Sequence, residues 1–325
     1  MGLHSVSFSP KVATTEQLNL RLKDSKVMSS LRLRILLSLT AEDSVYQQAE
    51  AQAAKNAAGK HGFDVEPTYA KGDAIAQSDQ LLRVIQSSTN RPDVIMLEPV
   101  GTGMVRVAQE AVKAGIGWVV VNREVDYVSD LRRTARAPVF AVTTNHVETG
   151  RIQGKQLNAL LPDGGFVLYL QGPTGHPVVE SRQAGMLETK SPLIEIRSLQ
   201  GQWQESVACD VVASWLQLPA SRTLRSMVVA AQNDFMAMGA RKAFSQPGKQ
   251  PASQTPAVKY IGCDGLEEQG CRWVQGGLLD ATVRCPSLTG LAMDLLAKEV
   301  RHGGASQPVT LADPVSYPPL ERLGH

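Results

Sequence analysis

Six short apolar runs in this chain end in polar side chains suited to hydrogen bonding. Glu42, Asp43, Ser44, Tyr46 and Gln47 follow LRLRILLSL (31–39), and Asn122, Arg123 and Glu124 follow GWVVV. Gln171, Gly172 and Gly175 follow FVLYL, Gln202 and Trp203 follow IRSL, Gln232, Asn233 and Asp234 follow MVVAA, and Asp264 follows YIG. Carboxylates, amides, an arginine and two aromatics can grip and cover a small ligand. They form no nucleophile–base pair and no pair of carboxylates at a spacing that suits catalysis, and VGTGM and GPTGHP are lone glycine turns rather than a phosphate-binding loop. Cys209, Cys263, Cys271 and Cys285 contain no CxxC pair and read as small core residues, with one disulfide also compatible. His4, His61, His146, His176, His302 and His325 are scattered and read as surface or cap residues. No metal site and no cofactor site is expected.

The stretch VVAAQNDFMAMGARKAF (228–244) leaves two uses open for its polar seam. Asn233 or Asp234 can cap the following helix by accepting from its free backbone N–H groups. Alternatively one of them caps while its neighbour faces a cleft and bonds a ligand.

These side chains converge only if the apolar runs are parallel strands, because ligands of open parallel sheets bind beyond the strands' carboxyl ends. The pattern around them supports that. LRLRILLSL leads into SVYQQAEAQAAKNAAGKHG (44–62), rich in strong helix formers and stopped at His61-Gly62. DVEPTYA is followed by DAIAQSDQLLRVIQSS, DVIMLEP by GMVRVAQEAVKAG, and GWVVVNR closes the array at Arg123. The rhythm restarts after APVFAVTTN (137–145) and runs as far as the helix that the seam opens. Two such arrays predict an α/β fold of two doubly wound parallel-sheet lobes. The surplus of elements after Gly265 exceeds what one lobe can absorb, so three crossovers are expected. The N-terminal lobe is placed at 31–143 plus 286–309 and the C-terminal lobe at 144–285 plus 310–325. Residues 1–30 are expected to be a disordered tail, and SQPGKQPASQTP (245–256) a polar loop.

Bulk properties narrow the function. A chain of 325 residues, 43% hydrophobic and 20% charged, suits a soluble globular protein of two domains. A net charge of +2 carries no electrostatic footprint for nucleic acid or an anionic membrane, and fits a neutral small ligand. Residues 1–30 hold Lys11, Glu16, Arg21, Lys23, Asp24 and Lys26 with no apolar run of signal-peptide length. Nothing approaches the roughly 18 apolar residues of a membrane span, so no direct membrane insertion is expected.

Several segments, in order, resemble the type I periplasmic sugar-binding proteins of the ribose-binding kind, whose core is shared by effector domains of lactose-repressor-type regulators. AQNDFMAMGARKAF, IGCDG (261–265), VVVNREVD (119–126), GPTGHPVVESRQAGM (172–186), GGLLDATVRCP (276–286) and GQWQES (201–206) carry the resemblance. It implies two lobes joined by a three-strand hinge that close around a sugar or polyol. Asn122 and Arg123 look like the pair that grips sugar hydroxyls, and Asn233 and Asp264 match ligand-binding positions. Trp203 falls where an aromatic stacks on the ring, and Glu180, two residues before Arg182, falls where ribose binders use Arg, with the charge reversed. Asp43, Tyr46 and Gln47 fall at the ligand-facing start of the first helix, and Arg284 or Cys285 stands where a Gln is usual. A sugar has hydroxyls on its rim and apolar C–H faces, so in-plane polar groups with aromatic walls, here Tyr46 and Trp203, suit it.

The resemblance implies a non-enzymatic solute-binding protein of an ABC sugar transporter in the cell envelope or periplasm, its closed form read by a transporter permease or receptor. The alternative is a cytoplasmic ligand-sensing domain related to repressor effector domains. The N-terminal 30 residues are too short for a helix-turn-helix module with its hinge helix, so no nucleic-acid binding is expected.

Overall fold

A computed structural model of the chain describes residues 32–219, 226–246 and 258–324. Two six-stranded sheets account for the strands. The first takes β1 (Arg34–Leu39), β2 (Asp64–Tyr69), β3 (Val94–Leu97), β4 (Gly117–Val121), β5 (Val139–Thr144) and β11 (Val309–Ala312) in the order β11-β5-β4-β3-β1-β2, all parallel. The second takes β6 (Gly165–Gln171), β7 (Ile194–Gln200), β8 (Met227–Ala231), β9 (Lys259–Asp264), β10 (Ala281–Arg284) and β12 (Val315–Tyr317) in the order β12-β10-β9-β8-β6-β7, with β12 antiparallel. In each lobe the strand order reverses beside the first strand, at β1/β3 and at β6/β8, which is where open α/β sheets bind ligands.

The central strands are covered on both faces, so they read as continuous apolar runs rather than alternating ones. GWVVV and MVVAA are buried at every position. Helix α1 (Val45–His61) starts on Ser44 and stops at Gly62, whose φ of 65° ends the helix in the left-handed conformation, and α2 (Ala74–Gln86), α3 (Val105–Lys113) and α4 (Val128–Arg132) follow it in the first lobe. Its inward face is lined by Ala51, Ala54 and Ala58 and packs with a helix from the far end of the chain, Leu288–His302, in one core cluster. Glu50 of α1 fastens that late helix: its carboxylate accepts from Thr289 N at 2.8 Å and Leu288 N at 3.3 Å, capping the free N–H groups of the first turn.

The chain passes between lobes after β5, after β10 and after β11. The third passage lies between Ala312 and Val315, beyond the expected 309/310 boundary, because Thr310–Ala312 continue the pairing of β11 with β5. The first shifts by one residue, since Thr144 still pairs in β5. The tail 1–30 and most of the 245–256 loop lie outside the described residues. Among the described residues no helix is long and apolar enough to cross a membrane.

In the second lobe, helices α5 (His146–Leu160) and α6 (Pro177–Thr189) approach so closely that side chains are excluded at the contact. A Cβ on Gly185 would lie 1.9 Å from Val147 O, and one on Gly150 would lie 2.0 Å from Arg182 O. Gly185→Ala should therefore force the helices apart and lower the unfolding free energy by about 1–3 kcal/mol. Urea denaturation measures this; an unchanged midpoint would contradict the close approach.

Candidate functional site

The carboxyl ends of both sheets face one cleft of about 1020 Å³. On the side of the first lobe its floor is a polar network of buried and half-buried side chains. Gln47 takes Thr40 N on Oε1 at 3.1 Å and donates from Nε2 to Glu98 Oε2 at 2.7 Å. Glu98 Oε1 accepts from Asn122 Nδ2 at 3.0 Å. Beneath them Gln77 donates to Ser38 Oγ and to Glu98 O, and accepts from Val100 N. Burial is the main force raising the Glu98 carboxyl, opposed by the two amide donors, and the balance leaves it at about 7. Arg123 reaches across the cleft, with Nη2 3.0 Å from His176 Nε2 in the second lobe.

The wall of the second lobe is built around Trp203. Its ring covers Gly172, where a Cβ would lie 2.2 Å from the indole, so only glycine fits beneath it. His176 meets the indole edge-on at 6.0 Å, and the Arg182 guanidinium lies 5.9 Å from the ring centroid. Arg182 donates to Gln232 O and, at 3.3 Å, to Asp264 Oδ1. His176 Nδ1 also faces Val178 N at 3.3 Å. A neutral imidazole has one lone pair and accepts from one of its two neighbours at a time. Burial first, then Arg123 and Arg182, push His176 down to about 4.

Backbone strain marks the same place. Among the described residues five non-glycine residues have positive φ, and four of them line the cleft: Asn122 (60°), Gln202 (55°), Trp203 (64°) and Asp264 (92°). Such conformations persist where surrounding contacts impose them, and they concentrate at functional sites.

Of the residues expected from sequence, Asp43, Tyr46, Gln47, Asn122, Arg123, Trp203, Asn233 and Asp264 line the cleft. Gln47 is only 3% exposed and its amide is engaged by Thr40 and Glu98, so it supports the floor. Glu180 does not join them: it is exposed on α6, while Arg182, two residues and some 200° further round the helix, points into the cleft. Arg284 is likewise displaced, half exposed and paired with Glu267 at 2.9 Å. Its neighbour Cys285 lines the cleft instead, placed there when its N–H donates to Asp264 O at 3.0 Å. The polar seam is resolved in favour of one residue with two roles. Asn233 caps the helix Asp234–Phe244 by accepting from Met236 N at 2.8 Å, and it also lines the cleft, where Nδ2 donates to Trp203 O. Asp234 turns away from the cleft into the lobe, accepting from Thr282 Oγ1 and Gly265 N.

Glu98 and His176 were not among the expected residues. Glu98 follows the apolar VIML as the others follow their strands, so the same rule extended to β3 would have found it. His176 does cap α6, as a surface or cap histidine should, but its ring also enters the cleft. The four cysteines are free; Cys209 and Cys285 line the cleft rather than lying in the core, and for Cys285 this agrees with the ligand-facing position that the family resemblance offered to it or Arg284. Among the described residues no cluster of His, Cys, Asp or Glu could hold a metal ion.

Two wound lobes facing a polar, partly aromatic cleft at their switch points define a ligand-binding protein of two-lobed α/β architecture. The chain belongs to the type I periplasmic binding proteins: it matches the periplasmic binding protein domain over residues 35–300. It is 26% identical over 307 residues to the galactofuranose-binding protein YtfQ of Escherichia coli K12, covering 91% of this chain and 92% of that one. It is 27% identical over 225 residues to the D-allose-binding periplasmic protein of the same organism, covering 68% of each. The solved structure of a galactofuranose binding protein, 25% identical, superposes with a TM-score of 0.72 over 90% of this chain and all of that one. That of a solute-binding protein from Actinobacillus succinogenes with bound D-allose, 22% identical, shares the fold with a TM-score of 0.75 over 88% of this chain and 97% of that one.

His146 stands at the first passage between lobes, and its place differs from the surface or cap position expected. Among the described residues both ring nitrogens are buried without a partner, and burial, then Arg182 and His176, push it down to about 2. The folded value lies below the unfolded one of about 6.5. Its contribution to stability is therefore present above that pH and is lost as pH falls toward about 2. From about pH 6.5 to about pH 4.5 the protein should lose up to ~1.4 kcal/mol per pH unit through this group. His146→Phe should flatten that slope in urea unfolding curves; an equal slope in both proteins would place the acid sensitivity elsewhere.

Proposed function

We propose that this chain is a solute-binding protein that closes its two lobes around a small sugar or polyol, as the substrate-binding component of an ABC sugar transporter in the cell envelope. One observation carries the reading: Asn122 and Arg123 from one lobe oppose Asp264, Arg182 and Trp203 from the other across a single cleft. A polyol presents hydroxyls that each donate and accept, and apolar C–H faces between them. Charge-assisted groups suit the first and the Trp203 ring the second. Asp264 gives one oxygen to Arg182, leaving the other for a ligand hydroxyl. Neither lobe holds the full set, so a ligand that touches both favours the closed arrangement by its differential affinity.

The reading is of binding without turnover: the cleft groups are occupied in orienting one another, and the relatives are binding proteins. The bound molecule is released unchanged to a membrane permease. The names of the relatives favour an aldose, in furanose or pyranose form, as the class of ligand.

Calorimetry against D-allose, D-galactose, L-arabinose and myo-inositol tests this. At least one should bind and raise the melting temperature, by the equivalent of ~2.7 kcal/mol at about 100 times Kd. Arg123→Ala should then weaken binding by about 1.5–3 kcal/mol with little change in folding, because a charge-assisted partner is lost from a half-buried site. Asp264→Asn is the matching probe in the other lobe, since it removes the charge but keeps the shape and an acceptor for Arg182, whereas alanine would leave the buried guanidinium with neither. Trp203→Phe should cost less than either. Binding unchanged in both Arg123→Ala and Asp264→Asn would remove the cleft from the function, and chemical conversion of a bound sugar would replace binding with catalysis.

A further inference from the structure

The first lobe meets the cleft through an amide whose orientation is imposed from below. Both oxygens of the Glu98 carboxylate accept from side-chain amides, Oε2 from Gln47 and Oε1 from Asn122. An ionised carboxylate only accepts, so each amide must turn its NH₂ toward Glu98 and its carbonyl away. The Gln47 carbonyl is consumed by Thr40 N. Among the described residues no donor engages Asn122 Oδ1, and Asn122 lines the cleft from a backbone fixed at φ 60° with its N–H on Val142 O. The first lobe's wall therefore reads its ligand with an acceptor at Asn122 beside the donor Arg123.

We propose that Glu98 is a positioning residue that sets the hydrogen-bond polarity of this wall: ionised, it holds the Asn122 carbonyl toward the cleft, and on taking a proton it turns Asn122 to present its NH₂. The proton makes one Glu98 oxygen a donor, and a donor facing an NH₂ is a repulsive contact. Gln47 cannot yield, because turning it would set its NH₂ against the Thr40 N–H. Among the described residues Asn122 has no second side-chain partner to lose, so it is the amide that turns.

The charged and titratable groups around Glu98 are Glu50 and Tyr46 on α1 and Arg123 after β4, while Gln77 holds its backbone carbonyl. Burial raises the carboxyl, the two amides lower it, Glu50 raises it and Arg123 lowers it, which leaves the exchange near neutral pH. The chemical consequence is selective. A hydroxyl satisfies either orientation of Asn122, a ring or ether oxygen only the protonated one, and an ammonium group only the ionised one. This deepens the ligand-binding reading and rests on it for its functional meaning, but its test needs no ligand, so the two fail separately.

The test follows the side-chain amide ¹⁵N and ¹H signals of Asn122 and Gln47 and the Glu98 carboxyl ¹³C signal in the ligand-free protein from about pH 5 to about pH 9. Glu98 should titrate once, the Asn122 amide should move with the same midpoint, and the Gln47 amide should move far less. In Glu98→Gln, which keeps the shape and one acceptor, that pH dependence of Asn122 should vanish. A flat Asn122 amide across the range in the wild-type protein would overturn the inference, as would an Asn122 transition that survives in Glu98→Gln. The wild-type titration decides the matter even if the variant does not fold.

Discussion

A single buried carboxylate shapes the ligand-facing side of the second lobe. Asp234 accepts from Gly265 N at 2.8 Å and from Thr282 Oγ1 at 2.6 Å, tying the start of its helix to the end of β9 and to β10. The space around it is glycine-sized: a Cβ on Gly262 or Gly270 would lie within 2.2 Å or 2.1 Å of its oxygens. Burial raises the Asp234 carboxyl strongly, and these donors, with Arg182 nearby, work against that. The turn it holds gives Asp264 its φ of 92° and sets that carboxylate against Arg182. Arg182 in turn reaches the Gln232 carbonyl and lies by the Trp203 ring, and Trp203 covers Gly172. Each member of the wall depends on the one before it.

The first lobe uses carboxylates in the same way at two points, one half-buried and one buried. Glu98 gathers Gln47 and Asn122 at the cleft floor, and Glu50 seats the helix that begins just after the second passage between lobes. An ionised carboxylate is costly in the interior unless donors surround it. Where they do, it fixes backbone and amide geometry more tightly than apolar packing can, because hydrogen bonds have direction. The site and the second passage are therefore pinned by directed hydrogen bonds where the chain is otherwise held by aliphatic side chains and close helix packing.

The two halves of the cleft are joined by three passages and, across the cleft itself, by Arg123 and His176. That contact is between a guanidinium and a neutral ring, weaker than an ion pair and exchangeable for a ligand oxygen. The ion pair in the second lobe's cleft wall, Arg182 with Asp264, stays within that lobe. Opening thus leaves each wall intact, which suits a family whose members bind by lobe closure.

Much of this was legible from sequence because it rests on local rules. Apolar runs followed by helix-forming stretches specify parallel α/β lobes, since a buried central strand must be apolar on both faces. A cap at Asn233 or Asp234 reads from the sequence because capping depends on residues three positions away, and the structure assigns it to Asn233. Convergence of Asn122, Arg123, Trp203 and Asp264 follows from the rule that parallel strands end at one edge. Tertiary structure decided the rest. Arg182 rather than Glu180, and Cys285 rather than Arg284, enter the cleft because of how helix and strand are rotated against the lobe, which one-dimensional spacing does not carry. The role of Glu98 arises from amides 51 and 24 residues away in the chain. The burial of the His146 ring arises at a junction between lobes. Residue types and order determined the class of fold and the chemistry available. Packing determined which side chains face the cleft and with what polarity, because burial and hydrogen-bond direction are set by neighbours distant in sequence.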